Sequence, residues 1–301
     1  MATARRRINA TPGAWLCGLM IAVCGAGNAC AQDAASLRAR HASLHEQLSH
    51  NQFQRPLYLE SSQSDGNLKG EIFSVVELSP TMALQALRGL DHWCDILMLH
   101  LLVKSCVGSK APAAPTLSLA VARTWDQPLE AAHHIDFNYK LISASADYLQ
   151  LQLNAESGPM GTKNYRLMLE AVPLGAKSTF IHMSYSYVHG FAAHLAMEGY
   201  LATLGRNKVG FSITGRGADG KPVYMGGMRG VVERNTMRYY LAVEAYLGAY
   251  ALPPSEQLER CMRDWYAGIE RYPLQLHELE RNEYLEMKRK EVQRQQAAAK
   301  P

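Results

Sequence analysis

The feature that most restricts the fold is a succession of short alternating segments between Thr116 and Gly190. Leucine alternates with a polar amide side chain over Leu149–Asn154, which gives that strand one apolar and one polar face. The other segments are TLSLAVARTW, HIDFNYKLISAS, NYRLMLEAV and STFIHMSYSYVHG. Polar turns such as Ser157–Gly161 separate them. These connections are too short for the crossovers that parallel strands need, so the sequence predicts an antiparallel meander.

Helical patterns lie on both sides of the meander. The strand-like segment Gly70–Ser79 precedes a helix for which Ser79 is a suitable N-cap and Pro80 a suitable first residue. The longest helical pattern is Met228–Tyr250, and two consecutive prolines end it before further helical segments. This order predicts an α+β fold, in which a curved antiparallel sheet packs on a long C-terminal amphipathic helix and extra C-terminal helices follow.

The segment GEIFSVVELSPTMALQALRGLDHWCDIL, Gly70–Leu97, resembles the opening of the START-like (SRPBCC, helix-grip) superfamily. In that superfamily a first strand leads into helices that carry a tryptophan, here Trp93, and a meander follows. The resemblance covers residues 70–250, with Met228–Tyr250 as the helix that the sheet grips. It implies that the protein binds or transfers a hydrophobic ligand such as a lipid, although the same fold includes enzymes.

The N-terminus has the pattern of a secretory signal peptide. Arg5–Arg7 form a positive segment, the mostly apolar stretch Ala14–Ala26 follows, and Ala29-Cys30-Ala31 is a small-x-small cleavage site. The apolar stretch is shorter than the ~20 residues that a permanent anchor needs. We therefore expect cleavage near Ala31 and a periplasmic or secreted mature chain without a transmembrane anchor.

Cleavage also changes the charge balance of the chain. The full sequence has 31 Lys and Arg residues against 27 Asp and Glu residues. Loss of the three arginines of the signal leaves 31 − 3 = 28 against 27, so the mature chain is close to neutral. It lacks a global positive field, and we therefore expect no nucleic-acid partner.

We divide the chain into four parts: a signal peptide (1–31), an N-terminal helical extension (32–56), a helix-grip-like α+β domain (57–252) and a C-terminal helical extension with a frayed tail (253–301). Leu37, Leu44 and Leu48 have helical spacing, which indicates the N-terminal extension. The apolar side of the last helix fades after Met287, which predicts the fraying.

Three cysteines remain after cleavage, namely Cys94, Cys106 and Cys261. In an oxidising compartment we predict a Cys94–Cys106 disulfide, because the two residues are close in sequence, and two buried free thiols are the alternative. Cys261 is left over. The cysteine and histidine spacings do not fit a zinc site, and the chain lacks a P-loop and a GxSxG element, so we expect no metal and no cofactor.

The candidates for ligand binding are aromatic residues of the meander, and they are Tyr139, Tyr185, Tyr187 and His189. The last three share one face of the final strand, an apolar and aromatic face that suits a cavity wall with polar tips for a ligand head group. His182 faces the opposite side of that strand. Arg166 and Glu170 share the polar face of their own strand, where we expect a solvated cross-strand set.

These observations favour an exported binding or carrier protein that holds a hydrophobic, lipid-like ligand between the sheet and the long helix. One alternative is a cavity enzyme of the cyclase or hydrolase type, in which His189 and a tyrosine act as acid and base. The other is a non-enzymatic interaction module that docks a protein partner through its C-terminal helices. No catalytic residue is assigned.

Overall fold

The computed structural model describes residues 1, 33–109, 111, 114–203 and 205–298. The predicted signal peptide falls outside the described residues. The helices are α1 (Ala34–Ser43), α2 (His45–Ser49), α3 (Pro80–Leu87), α4 (Leu90–Met98), α5 (Phe191–Ala202), α6 (Gly227–Ala249), α7 (Pro254–Ile269), α8 (Pro273–Leu276) and α9 (Arg281–Ala298). Among the described residues, no helix combines the length and the apolarity that crossing a bilayer demands.

The strands of the main sheet are β1 (Leu57–Ser64), β2 (Asn67–Val76), β3 (Val103–Ser109), β4 (Thr116–Val121), β5 (His133–Ala144), β6 (Leu149–Ser157), β7 (Lys163–Pro173) and β8 (Thr179–Val188). They are antiparallel and lie in the order β1-β2-β8-β7-β6-β5-β4-β3. A separate hairpin joins β9 (Ile213–Arg216) to β10 (Pro222–Tyr224). The predicted meander over Thr116–Gly190 is therefore confirmed as β4–β8, and β3 adds one strand before it.

The strand order confirms the helix-grip architecture. The chain runs from β2 through α3 and α4 into the meander, and its last strand, β8, returns to pair with β2. The sheet thereby curves around α6, the predicted long helix, and the hairpin strand β1 extends its edge. Ser79 accepts a hydrogen bond from the Met82 amide at the start of α3, as its position before Pro80 predicts.

Helix α6 is buried on more than one side. Its inward residues, such as Val232 and Tyr240, face the sheet, and Gly70 of β2 allows a close approach of the two backbones. Glu233, Arg234 and Arg238, which lie off the apolar stripe, are also buried. The reason is that α6 contacts the sheet on one side and the helices that follow it on others.

The predicted disulfide is present between Cys94 of α4 and Cys106 of β3, with the two Cα atoms 5.3 Å apart. It ties the helical insertion to the strand that precedes the meander. Cys261 is a buried free thiol on α7, and its sulfur lies 3.8 Å from the carbonyl oxygen of Ala245.

The C-terminal helices fold back onto the core. Tyr284 of α9 stacks on Trp265 of α7 with ring centroids 4.8 Å apart. Lys288 is 1% exposed and donates to the carbonyl oxygens of His100 and Val103 at 2.8 Å. The tail is therefore helical as far as Ala298 because its charged side chains have buried partners, whereas residues 299–301 lie outside the described ranges.

Candidate functional site

Four tyrosines meet between the sheet and α6, and we call them the tyrosine cluster: Tyr165, Tyr185, Tyr187 and Tyr239. Tyr165 of β7 stacks on Tyr187 of β8 with centroids 5.2 Å apart, because the two strands are neighbours and both residues point inward. Tyr185 contacts Tyr239 of α6, also at 5.2 Å. Strand alternation places the first three on one face of the sheet, and the helix brings the fourth against them.

The hydroxyl groups of the cluster have few partners. Tyr165 donates to Thr162 at 2.8 Å. The hydroxyls of Tyr185, Tyr187 and Tyr239 form no hydrogen bond with any residue that the structure describes. Burial raises the pKa of all three, so they stay protonated and are able to donate. A group of aromatic faces with unused donors is able to hold an apolar molecule and orient its polar end.

Of the predicted candidates, the structure brings Tyr185 and Tyr187 together. Tyr139 is also on the inner face, but its hydroxyl donates to the carbonyl oxygen of Arg88 at 2.6 Å, and burial raises its pKa to about 12. The hydrogen bond from the Tyr139 hydroxyl therefore fixes the segment between α3 and α4. His189 lies just beyond β8 and stacks on His194 of α5, with ring centroids 5.3 Å apart. Both ring nitrogens of His189 lack a partner among the residues that the structure describes.

Sequence reasoning missed Tyr165 and Tyr239 as members of the site. Tyr165 has the same strand alternation as Leu167 and Leu169, so its inward direction was readable. Tyr239 is on the apolar stripe of the long helix, but the strand that it meets depends on how the sheet curves. Arg238 of the same helix also lies in this region, and His100, which follows α4, stacks its ring on Tyr239 with centroids 4.8 Å apart.

The outer face of the sheet holds a second buried group, which corrects one expectation. Glu170 is fully buried, accepts from the Tyr148 hydroxyl and contacts Nδ1 of His182 at 2.9 Å. The other ring nitrogen of His182 lies 3.0 Å from Glu71. Glu170 is therefore not part of a solvated set with Arg166, because helix α1 and the aromatic residues beneath it cover this face.

The tyrosine cluster does not line either of two surface pockets that lie in the described part of the chain. One, of about 400 Å³, lies beside β1 and the start of α6 and includes Arg229 and Ser61. The other, of about 200 Å³, lies between α3 and the β5–β6 turn. Tightly packed aromatic rings occupy the space at the cluster itself. Within the described ranges, His, Cys, Asp and Glu side chains form no group of three that could hold a metal ion.

The glycine-rich sequence Gly215–Pro222, GRGADGKP, has the glycine and lysine spacing of a phosphate-binding loop but ends in proline where that loop needs Ser or Thr. In the structure it forms the turn of the β9–β10 hairpin, with Gly220 at a φ of 76°. It does not lead from a strand into a helix, so it does not build a phosphate site.

No protein-family model matches the sequence, and no curated protein matches it. A norcoclaurine synthase point mutant from Thalictrum flavum, solved with a transition-state analogue, is 17% identical over 48% of this chain and 93% of its own, with a TM-score of 0.33. The Zhui aromatase/cyclase from Streptomyces sp. R1128 is 11% identical over 78% of this chain and 96% of its own, with a TM-score of 0.32.

A START superfamily protein from Mycobacterium smegmatis is 16% identical over 46% of this chain and 92% of its own, with a TM-score of 0.30. Similarity at this level assigns neither a family nor an activity to the chain. The helix-grip architecture of the chain is read from its own strand order and from the sheet that curves around α6.

Proposed function

We propose that the protein is an exported binding or carrier protein, which takes up a hydrophobic ligand at the tyrosine cluster between the sheet and α6. The observation that carries the proposal is that aromatic rings from the sheet and from α6 meet here, and that Nε2 of His100 and Nε of Arg238 beside them are buried without a hydrogen-bond partner in the described part of the chain. Buried polar groups are normally hydrogen-bonded, so the unpartnered nitrogens of His100 and Arg238 call for an explanation. A ligand that displaces the packed rings and accepts hydrogen bonds from these groups would explain why they have no partner in the protein.

The walls of the proposed site are apolar apart from these nitrogens and the tyrosine hydroxyls. Met183 and Leu167 lie next to the cluster on the inner face of the sheet and are 0% and 3% exposed. A ligand in this position would be removed from water on most sides, which favours an apolar body. The disulfide between Cys94 and Cys106 is compatible with an oxidising, extracytoplasmic compartment.

The proposal is tested by native mass spectrometry of the full-length gene product, purified from the periplasm or medium of the expressing cells. We expect a chain that begins at Gln32 and carries one apolar molecule, which organic extraction removes. The extracted protein is then titrated with N-phenyl-1-naphthylamine, a neutral apolar fluorophore, and we expect saturable binding.

Two variants locate the site. Tyr185→Ala removes a ring from the cluster and is expected to weaken fluorophore binding several-fold, whereas Tyr58→Ala removes a ring from the outer face and is expected to leave it unchanged. Near-ultraviolet circular dichroism verifies that both variants are folded. A folded wild-type protein that copurifies with no apolar molecule and binds no fluorophore would contradict ligand binding. A purified protein that retains the full precursor mass would contradict export.

A further inference from the structure

The region around Tyr239 contains several hydrogen-bond donors that lack an acceptor among the described residues. The hydroxyls of Tyr185 and Tyr239, whose rings are 5.2 Å apart, bond to no described residue. Because burial raises their pKa, both carry a proton at neutral pH. They are therefore available as donors from two directions, one from the sheet and one from the helix.

His100 adds a donor on the other side of Tyr239. Its ring is 2% exposed and stacks on the Tyr239 ring. Nδ1 accepts a hydrogen bond from the amide of Leu102 at 3.2 Å, which assigns the proton of the neutral ring to Nε2. Burial and the positive charges of Arg238 and Lys288 hold the pKa of His100 well below its usual value, so the ring is neutral. The Nε2 proton has no partner in the described residues.

Arg238 supplies both a donor and positive charge. The residue is 5% exposed, and its guanidinium contacts Glu278 at 2.7 Å through one terminal nitrogen. The Nε atom of Arg238 has no partner among the described residues. Glu278 also faces Lys208 at 3.4 Å, so one carboxylate is shared between two cations and positive charge remains in excess.

We infer that the ligand of the tyrosine cluster is an apolar molecule that carries an anionic acceptor group such as a carboxylate, bound near Tyr185, Tyr239, His100 and Arg238. This inference rests on the proposed function and names the chemical class of its ligand. The reason is complementarity: the unpartnered groups around Tyr239 are donors, and the nearest charge surplus is positive. A negatively charged acceptor satisfies both, whereas an ammonium group would leave the His100 and Arg238 donors without a partner and would add to the positive charge.

The test compares three probes of equal chain length on the extracted mature protein at pH 7.5: dodecanoate, dodecanol and dodecylamine. Each is titrated as a competitor of N-phenyl-1-naphthylamine, below its critical micelle concentration. We expect dodecanoate to bind at least about tenfold more tightly than dodecanol, since a hydrogen bond to a charged group contributes that much. Dodecylamine is expected to bind most weakly.

A matched pair of variants assigns the preference to the site. Tyr239→Phe keeps the ring and removes one donor, so the affinity for dodecanoate is expected to fall by about tenfold and that for dodecanol by much less. Tyr58→Phe removes a hydroxyl that bonds to Glu60 on the outer face, and it is expected to change neither affinity. The comparison of the three probes on the wild-type protein does not depend on either variant being folded.

The outcomes separate the two proposals. Equal affinity for the three probes, or preference for dodecylamine, would overturn the anionic ligand while leaving hydrophobic binding in place. Failure of every probe and of the fluorophore to bind would overturn the proposed function itself. A preference for dodecanoate that persists unchanged in Tyr239→Phe would place the anion elsewhere and overturn the assignment to this cluster.

Discussion

At the scale of single residues, His182 is held between two carboxylates on the outer face of the sheet. Burial opposes its charged form, but the hydrogen bonds with Glu170 and Glu71 outweigh burial and raise the pKa of His182. Burial likewise opposes the charge of Glu71, but hydrogen bonds with His182 and Lys69 lower the pKa of Glu71 to about 2. The Phe73 ring stacks on the imidazole with centroids 4.3 Å apart, which shields the group from water.

The raised pKa of His182 makes the free energy of unfolding depend on pH. Because the folded-state pKa of His182 is raised, its stabilisation is complete below its unfolded pKa and is lost as the pH rises through the folded value. We expect His182→Gln to reduce the free energy of unfolding by about 3 kcal/mol at pH 6, because the buried Glu170 loses its cation and the partly buried Glu71 keeps only Lys69. The difference from wild type should shrink at pH 9, as measured by urea unfolding at both values.

His50→Gln is the control for this prediction. His50 pairs with Glu46 on the surface, and its side chain is 77% exposed. Exposed pairs contribute little, so this substitution should change stability by less than about 0.5 kcal/mol at either pH. An effect of His182→Gln that is the same at pH 6 and pH 9 would show that the charge of His182 does not stabilise the fold.

At the scale of elements, the contact between α6 and β2 sets how tightly the sheet grips the helix. A Cβ atom on Gly70 would overlap the Thr236 hydroxyl and lie 3.1 Å from the Thr236 Cβ. The hydroxyl is itself fixed by a hydrogen bond to the carbonyl oxygen of Val232 at 2.7 Å. Glycine is therefore required at position 70 because α6 lies very close to β2 there, and not because of an unusual backbone angle.

We expect Gly70→Ala to lower the free energy of unfolding by about 1–3 kcal/mol, because the added methyl group forces helix and strand apart. Thermal and urea unfolding monitored by circular dichroism measure the loss. Adding Thr236→Ala should recover part of it, since the overlapping oxygen is then removed, and a double-mutant cycle gives the coupling.

Gly199→Ala in α5 is the matched control, because a Cβ there meets no atom within 4 Å. Alanine is a better helix former than glycine, so this variant should be neutral or more stable by up to ~1 kcal/mol. Independent, additive effects of Gly70→Ala and Thr236→Ala would contradict a direct clash between the two positions.

At the scale of the whole molecule, the C-terminal helices complete the core. Glu291 of α9 bonds to both Lys288 and Lys104 at 2.8 Å, and all three side chains are at most 5% exposed. Tyr284 donates to the carbonyl oxygen of Leu99 at 2.8 Å and is fully buried. The predicted docking of a protein partner by these helices stays a prediction, but the residues named here are occupied by contacts within the chain.

We expect truncation before Arg281 to lower the melting temperature by more than about 10 °C, because it leaves Lys104 buried without its carboxylate and exposes Trp265. Differential scanning calorimetry measures the change, and a chain that stops at Ala298 is the control, expected to melt like the full mature protein. A truncated chain with unchanged melting and a reduced complex mass would instead support the interaction module.

The candidate site was only partly predictable. Alternation along β8 placed Tyr185 and Tyr187 on the inner face, since neighbouring residues of a strand face opposite ways. It could not show that the hydroxyl of Tyr139 is bonded to Arg88, because that contact joins β5 to the segment between two helices. Nor could it show that Glu170 bonds to His182, because a polar residue on an alternating strand is equally compatible with solvent and with a covering helix.

The meander and the long helix could be predicted from the sequence alone, which also favoured the pairing of Cys94 with Cys106 over two free thiols. These features depend on local alternation, on helical periodicity and on short separation, all of which are readable along the chain. Only the tertiary structure decided that Tyr239 meets Tyr185, and that Arg238 of the same helix is buried. The physical reason is that the curvature of the sheet and the packing of helices on α6 determine which side chains are buried. Both depend on contacts between residues far apart in sequence.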